Sequence, residues 1–276
     1  MSLDKTKRIS KDTLLCVSKL VFEVTRKCSA KCLDCAKGKS QHISMTSDMV
    51  DAFFINHRFG KVKDIVITGG EITLNVPVVS RLIDYLIAHE VPFETCRGPI
   101  NGLIYDPKLI KSFEKLAKEG NVVKKEGSNE SLVKIWVSYG KNRIPKPIED
   151  VVAAYNDLNS PVFDKTVNYR TNHYALGKGK NLPDAKPYPG ILTPESVEFE
   201  YDFIGNELHF VKPGAPSTLY YTAKGDLSLC TSFAEYNTHD EHAIGNCLSY
   251  NPEESSVALA VRKRFRDKIH DKQILF

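Results

Sequence analysis

The chain has 276 residues, 42% hydrophobic and 26% charged, an ordinary globular balance that excludes disordered and fibrous classes and suffices for one large core or a core with an appendage. Basic residues exceed acidic ones by 38 − 34 = +4, too small an excess to argue for a nucleic-acid partner. No stretch approaches the roughly 20 apolar residues of a membrane helix. The N-terminal segment, broken by Lys5, Lys7, Arg8, Lys11 and Asp12, lacks a signal-peptide core, so a cytoplasmic location is expected.

Taken in chain order, Leu20 to Thr25 (LVFEVT) is predicted to be a strand followed by a cysteine-rich loop. Ser47 to Arg58 is a predicted helix capped by Thr46 or Ser47. Asp64 to Thr68 (DIVIT) is a buried strand that stops at Gly69-Gly70. Val76 to His89 has Val79, Leu82, Ile83, Leu86 and Ile87 at helical spacing. Pro92 to Thr95 is a short strand, and Asp106-Pro107 opens a helix that runs to about Glu119. Val133 to Ser138, Ile148 to Leu158 and Thr166 to Arg170 continue as strand, helix and strand. This alternation implies a parallel sheet with right-handed crossovers. Working residues in such sheets sit just past the strand C-termini. The cysteine loop, Gly69-Gly70-Glu71, Cys96 and Ser138 are expected there.

After Arg170 the rhythm changes. Residues 177–190 are rich in Gly, Pro and Lys and are expected to form a loop, and 197–250 to form short strands and turns. Asn251-Pro252-Glu253-Glu254 opens a final helix with Val257, Val261, Phe265 and Ile269 as its apolar stripe. Its Arg and Lys residues read most simply as a solvated face.

The loop Cys28-Ser29-Ala30-Lys31-Cys32-Leu33-Asp34-Cys35 concentrates three of the seven cysteines. With no secretory signal, a metal site is the better reading than a disulfide framework. Thiolates are soft ligands suited to iron–sulfur clusters and to zinc. Three thiolates on one short loop can hold one side of a [4Fe–4S] cube and leave its fourth iron open. A zinc knuckle completed by His42, or three buried cysteines, remain alternatives.

C-x3-C-x2-C after the first strand, followed by Thr68-Gly69-Gly70-Glu71 after the second, resembles the radical S-adenosylmethionine (SAM) superfamily. The resemblance implies a partial (β/α)6-type barrel with a small mixed C-terminal cap ending in a helix. It also implies a [4Fe–4S] cluster on Cys28, Cys32 and Cys35, with SAM on the open iron. Reductive cleavage of SAM would give a 5′-deoxyadenosyl radical that abstracts a hydrogen atom from the substrate. By the same resemblance Gly69, Gly70 and Glu71 meet the methionine amine of SAM, Ser138 and Arg170 its carboxylate, and Tyr174 to Lys180 borders the adenosine. Asn101-Gly102 matches a turn to which no catalytic role is given. The chain departs from the pattern at Asp34, where many relatives carry an aromatic residue near the adenine. An electron donor of the flavodoxin or ferredoxin kind is implied.

Residues 1–195 are expected to form the core and 196–276 the cap. Gly225 to Cys230 and Ile244 to Asn246 are similar to a reduced form of the C-terminal extension of peptide-modifying members, which favours a peptide or protein substrate. Cys230 and Cys247 cannot alone fill a four-thiolate auxiliary site, and buried, non-ligating cysteines are expected there. His239 and His242 are expected on a solvated loop. A nucleotide or RNA substrate, and a non-catalytic zinc-stabilised binding module, are the alternatives.

Overall fold

The computed structural model describes residues 14–123, 132–140, 142, 145–170, 178, 200–204, 207–211, 218–229 and 243–247. The stretches expected as the 177–190 loop and the final helix, with Cys230, His239 and His242, lie outside them, apart from Lys178.

Five strands alternate with four helices: β1 (Leu14–Thr25), α1 (Ser47–Asn56), β2 (Arg58–Gly69), α2 (Val76–Ala88), β3 (Phe93–Ile100), α3 (Pro107–Glu119), β4 (Val133–Gly140), α4 (Glu149–Asp157) and β5 (Phe163–Arg170). A single 3-10 turn, Ile72–Asn75, joins β2 to α2. The strands pair in parallel and in chain order, β1-β2-β3-β4-β5. Their C-terminal ends therefore share one edge.

Residues 200–246 supply five more short strands: β6 (Glu200–Ile204), β7 (Glu207–Val211), β8 (Thr218–Tyr221), β9 (Asp226–Leu229) and β10 (Ala243–Asn246). They extend the same ten-stranded sheet from the free side of β1. β8 runs parallel to β1 from Lys19↔Thr218 to Phe22↔Tyr221, and β7 meets its first residues. The antiparallel pairs β8–β9 and β9–β10 complete that flank. Thus β1 is an interior strand, and β8 ends on the same edge as β1.

The period-two alternation of the strands divides the sheet into two chemically different faces. On one, Phe22, Ile65, Cys96, Ile135, Leu219 and Tyr221 lie in register and belong to the buried core. The helices deliver Phe53, Phe54, Val79, Leu82, Phe113 and Leu116 to that core, each large side chain adding about 1.5–3 kcal/mol on burial. The Phe22 and Phe53 rings meet edge to face at 5.1 Å, an arrangement favoured by the ring quadrupoles.

The opposite face is polar, with Lys19, Glu23, Asp64, Thr95, Arg97, Lys134 and Ser138. Asp64 there takes a two-pronged bond from Arg97, with Nε to Oδ1 at 2.9 Å, and accepts from Thr95 Oγ1 at 2.6 Å.

Cys96 is not at a strand end. β3 runs on to Ile100, so Cys96 is a mid-strand core residue, fully buried, and burial pushes its thiol well up. Among the described residues no helix is long and apolar enough to cross a membrane.

Candidate active site at the strand C-termini

β1 ends at Thr25, and the chain leaves it as a loop that folds back on itself. Arg26 N donates to Ile43 O at 2.8 Å, Gln41 N to Arg26 O at 3.0 Å and Met45 N to Val24 O at 3.0 Å. The Thr25 and Ser44 hydroxyls meet at 2.8 Å. Within the fold, Cys28 N donates to Ser40 Oγ at 2.9 Å and Gly38 N to Cys35 O at 3.1 Å. Cys28, Cys32 and Cys35 are all partly exposed at this edge and are free thiols.

The neighbouring strand ends hold this loop. Gly70 N donates to Thr25 O at 2.7 Å and Glu71 N to Lys27 O at 2.8 Å. A Cβ on Gly69 would run into the Thr25 carbonyl oxygen, and one on Gly70 into that of Lys27. Gly69 also has φ +152°, a conformation that side chains resist. The two glycines therefore let the β2 turn lie directly on the backbone of the cysteine loop. Farther along the edge, Leu33 N donates to Asn142 O at 2.9 Å and Lys178 N to Cys35 O at 3.0 Å.

Glu71 is 2% exposed. Its Oε1 accepts from Thr73 N at 3.1 Å and Thr73 Oγ1 at 2.8 Å, and its Oε2 from Asn101 N at 2.7 Å. The carboxylate thereby ties the β2 turn to the end of β3. Asn101, itself buried, sends its side-chain amide to Ser29 Oγ at 3.2 Å and toward Cys28 Sγ at 4.0 Å. Its Oδ1 accepts from Leu103 N at 2.9 Å, and Gly102 takes φ +71°. Asn101 is thus a turn residue, as its sequence suggests, and also the contact between β3 and the first cysteine.

Glu71, Cys32 and Cys35 all lie close enough to act on Cys28 electrostatically. Burial pushes the Cys28 thiol up, the Ala30 N–H pulls it down, and the charges of Glu71, Cys32 and Cys35 raise it further. This polar, sulfur-rich cradle fits a group that binds thiolates and brings positive charge. Among the described residues, no three His, Cys, Asp or Glu side chains converge tightly enough to hold a single metal ion, and His42 is exposed.

Ser138 is buried near the end of β4, opposite Asn168 of β5. Arg170 closes β5 opposite Gly140; its side chain lies outside the described residues.

Among the solved structures similar to this chain are the following three. Native anSMEcpe with bound AdoMet and Cp18Cys peptide aligns over 92% of this chain and 82% of its own, at 13% identity and TM-score 0.48. A hexahistidine-tagged anSMEcpe with bound AdoMet aligns over 91% and 82%, at 14% identity and TM-score 0.47. Streptococcus suis SuiB bound to S-adenosylmethionine aligns over 80% and 62%, at 11% identity and TM-score 0.37. No protein-family model and no curated protein matches the chain.

The structure also brings to the loop residues that the motif leaves out. Glu23 and Arg26 are both fully buried and paired, Nε to Oε1 at 2.6 Å. Arg26 Nη1 reaches Gln41 Oε1 at 3.1 Å. Tyr220 of β8 donates its hydroxyl to Glu23 Oε2 at 2.6 Å, and Ala223 N donates to Glu23 Oε1 at 3.1 Å. Lys37 Nζ donates to Tyr220 Oη at 2.7 Å. A charge inside the apolar run LVFEVT is a sequence sign that Glu23 has a buried partner, although nothing in the run names Tyr220.

Cys16 and Cys247 are buried outside the loop. Cys16 is buried beside Glu207, and burial together with that carboxylate pushes its thiol up to about 12. Cys247 is buried beneath Gly225, where a Cβ would press on its sulfur.

Proposed function

We propose that this chain is a radical SAM enzyme built on a partial βα barrel, with Cys28, Cys32 and Cys35 as the cluster ligands. The observation that carries the reading is the three-thiol loop lying on the Gly69-Gly70-Glu71 turn and against Asn101, at the C-terminal edge of a parallel sheet. Cys28, Cys32 and Cys35 would hold a [4Fe–4S] cluster, which when bound would supply the one-electron chemistry for reductive cleavage of SAM and hydrogen-atom abstraction from the substrate.

The chain's own residues orient and enclose. The loop presents three thiolates from one side. The amide of Asn101 offers an N–H toward Cys28 Sγ, the kind of contact that tunes a cluster. Glu71 holds the β2 turn in place and brings negative charge to the site of the SAM amine. Ser138 and Arg170, at the ends of β4 and β5, are assigned to the SAM carboxylate, for which a guanidinium is the suited partner. The Lys178 backbone against Cys35 supports residues 174–180 as the border of the adenosine.

The substrate is a peptide or protein, a reading supported by the likeness of Gly225 to Cys230 and Ile244 to Asn246 to the extension of peptide-modifying members. A flavodoxin- or ferredoxin-like protein supplies the electron. The test is anaerobic reconstitution with iron and sulfide, then dithionite and SAM, with 5′-deoxyadenosine read by mass spectrometry. About four irons per chain, with 5′-deoxyadenosine formed by the wild type and absent in Cys32→Ala, are expected. Intact SAM under conditions where a control enzyme cleaves it sinks the reading.

A further inference from the structure

The paired charges of Glu23 and Arg26 are an expensive thing to bury. Desolvation of each ion costs several kcal/mol, and only good geometry with further hydrogen bonds offsets it. Here the geometry is complete. Glu23 accepts from Arg26, Tyr220 and the Ala223 N–H. Arg26 continues to Gln41 on the returning arm of the cysteine loop. Tyr220 Oη accepts from Lys37, whose ammonium also stands 4.4 Å from the centre of the Tyr220 ring.

The placement of these partners is specific. Arg26 stands two residues before Cys28, and Lys37 two residues after Cys35. Both flanks of the cysteine segment thus converge on Glu23 and Tyr220. Tyr220 comes from β8, 197 residues beyond Glu23 in the chain. A loop with no helix or strand of its own between Thr25 and Ser44 depends on such ties for a fixed shape.

We propose that Tyr220 is a positioning residue for the cysteine loop, acting through Glu23–Arg26 on one flank and Lys37 on the other, so that the C-terminal strands set the geometry in which the thiolates are presented. The effect on a bound cluster rests on the function proposed above; the effect on the loop does not.

The experiment compares Tyr220→Phe with Tyr221→Phe. Both delete one hydroxyl from the same strand, but Tyr221 donates to Met49 O on the helix-covered face. Hydrogen exchange of the cluster-free protein is read first. Tyr220→Phe removes a hydrogen bond to a charged carboxylate, so it should speed exchange across residues 26–43 on the order of ten- to a hundredfold. The amides of α2 and α3 should stay near wild type in the same variant. Lys37→Met, which removes the same tie from the loop side, should reproduce the pattern, and Tyr221→Phe should not. Unchanged exchange in residues 26–43, or equal acceleration throughout the chain, overturns the proposal.

In reconstituted protein, Tyr220→Phe should lose iron to a chelator several-fold faster than wild type and shift the electron paramagnetic resonance of the reduced cluster. Wild-type loss kinetics and an unaltered spectrum overturn the cluster half of the proposal. A wild type that takes up no cluster overturns the function reading and leaves the exchange result to decide the loop.

Discussion

At the scale of single residues, the cysteine loop is held by contacts that tolerate little change. Gly70 lies against the Lys27 carbonyl, so Gly70→Ala has to displace the loop backbone. A loss on the order of 3 kcal/mol is expected in urea unfolding, and a near-neutral result would mean that the turn does not bear on the loop. Glu71→Ala strips the acceptor from the Asn101 and Thr73 N–H groups, each worth about 1–3 kcal/mol when left buried and unpaired. Glu71→Gln, which keeps an acceptor oxygen, should cost less. His57 offers a pH test away from the site. It is fully buried, its Nδ1 lies 2.9 Å from Phe53 O, and desolvation pushes it down to about 4. The unfolded chain takes up this proton near pH 6.5 while the folded chain refuses it until about pH 4, so acidification through that window favours unfolding, by about 3 kcal/mol in all. His57→Gln should flatten the fall in stability between pH 6.5 and 4, and an unchanged slope would refute it. Side-chain chemistry at short spacing was legible here: the three thiols and Gly69-Gly70-Glu71 announce themselves within a few residues. Glu23 shows only as a charge in an apolar run, and Tyr220 as its partner not at all, because a pairing across 197 residues leaves no local mark.

At the scale of elements, helix signals carried well. Thr46 accepts from Met49 N and Asp106 from Lys108 N, the caps that the sequence marks for α1 and α3. Thr46→Ala and Asp106→Ala should each cost about 1 kcal/mol in urea unfolding; loss of neither would put those helix starts elsewhere. Strand limits carried less well, for identifiable reasons. β3 continues through Cys96-Arg97-Gly98-Pro99, which reads as a stop. Gly98 is needed there because the Phe113 ring of α3 would lie 2.7 Å from a Cβ, and Pro99 keeps its register with Trp136. β2 begins at Arg58, six residues before the expected Asp64. Its first half, Arg-Phe-Gly-Lys-Val-Lys, carries three charges and a glycine, and Phe59 and Val62 become strand residues only because β1 already extends back to Leu14 beside them.

At the scale of the whole molecule, β1 carries neighbours on both sides, β2 on one and β7 with β8 on the other. A chain cut after residue 195 would lose Leu219, Tyr221 and Leu227 from the core and leave the backbone of Lys19 to Phe22 open on the side that β8 covers. Such an open interior edge favours self-association. The 1–195 fragment should therefore lack cooperative thermal unfolding and sediment as aggregate, whereas a monomeric, cooperatively folded fragment would show that the first five strands suffice.

The same interior strand has a cost in time. During translation β1 leaves the ribosome well before β8, since its partner Tyr221 lies 221 − 22 = 199 residues behind Phe22. At synthesis rates of roughly 5–20 residues per second, an apolar strand waits on the order of 10–40 s with one side open. Over the same interval the cysteine loop would lack the Tyr220 hydroxyl that meets Glu23 in the folded chain.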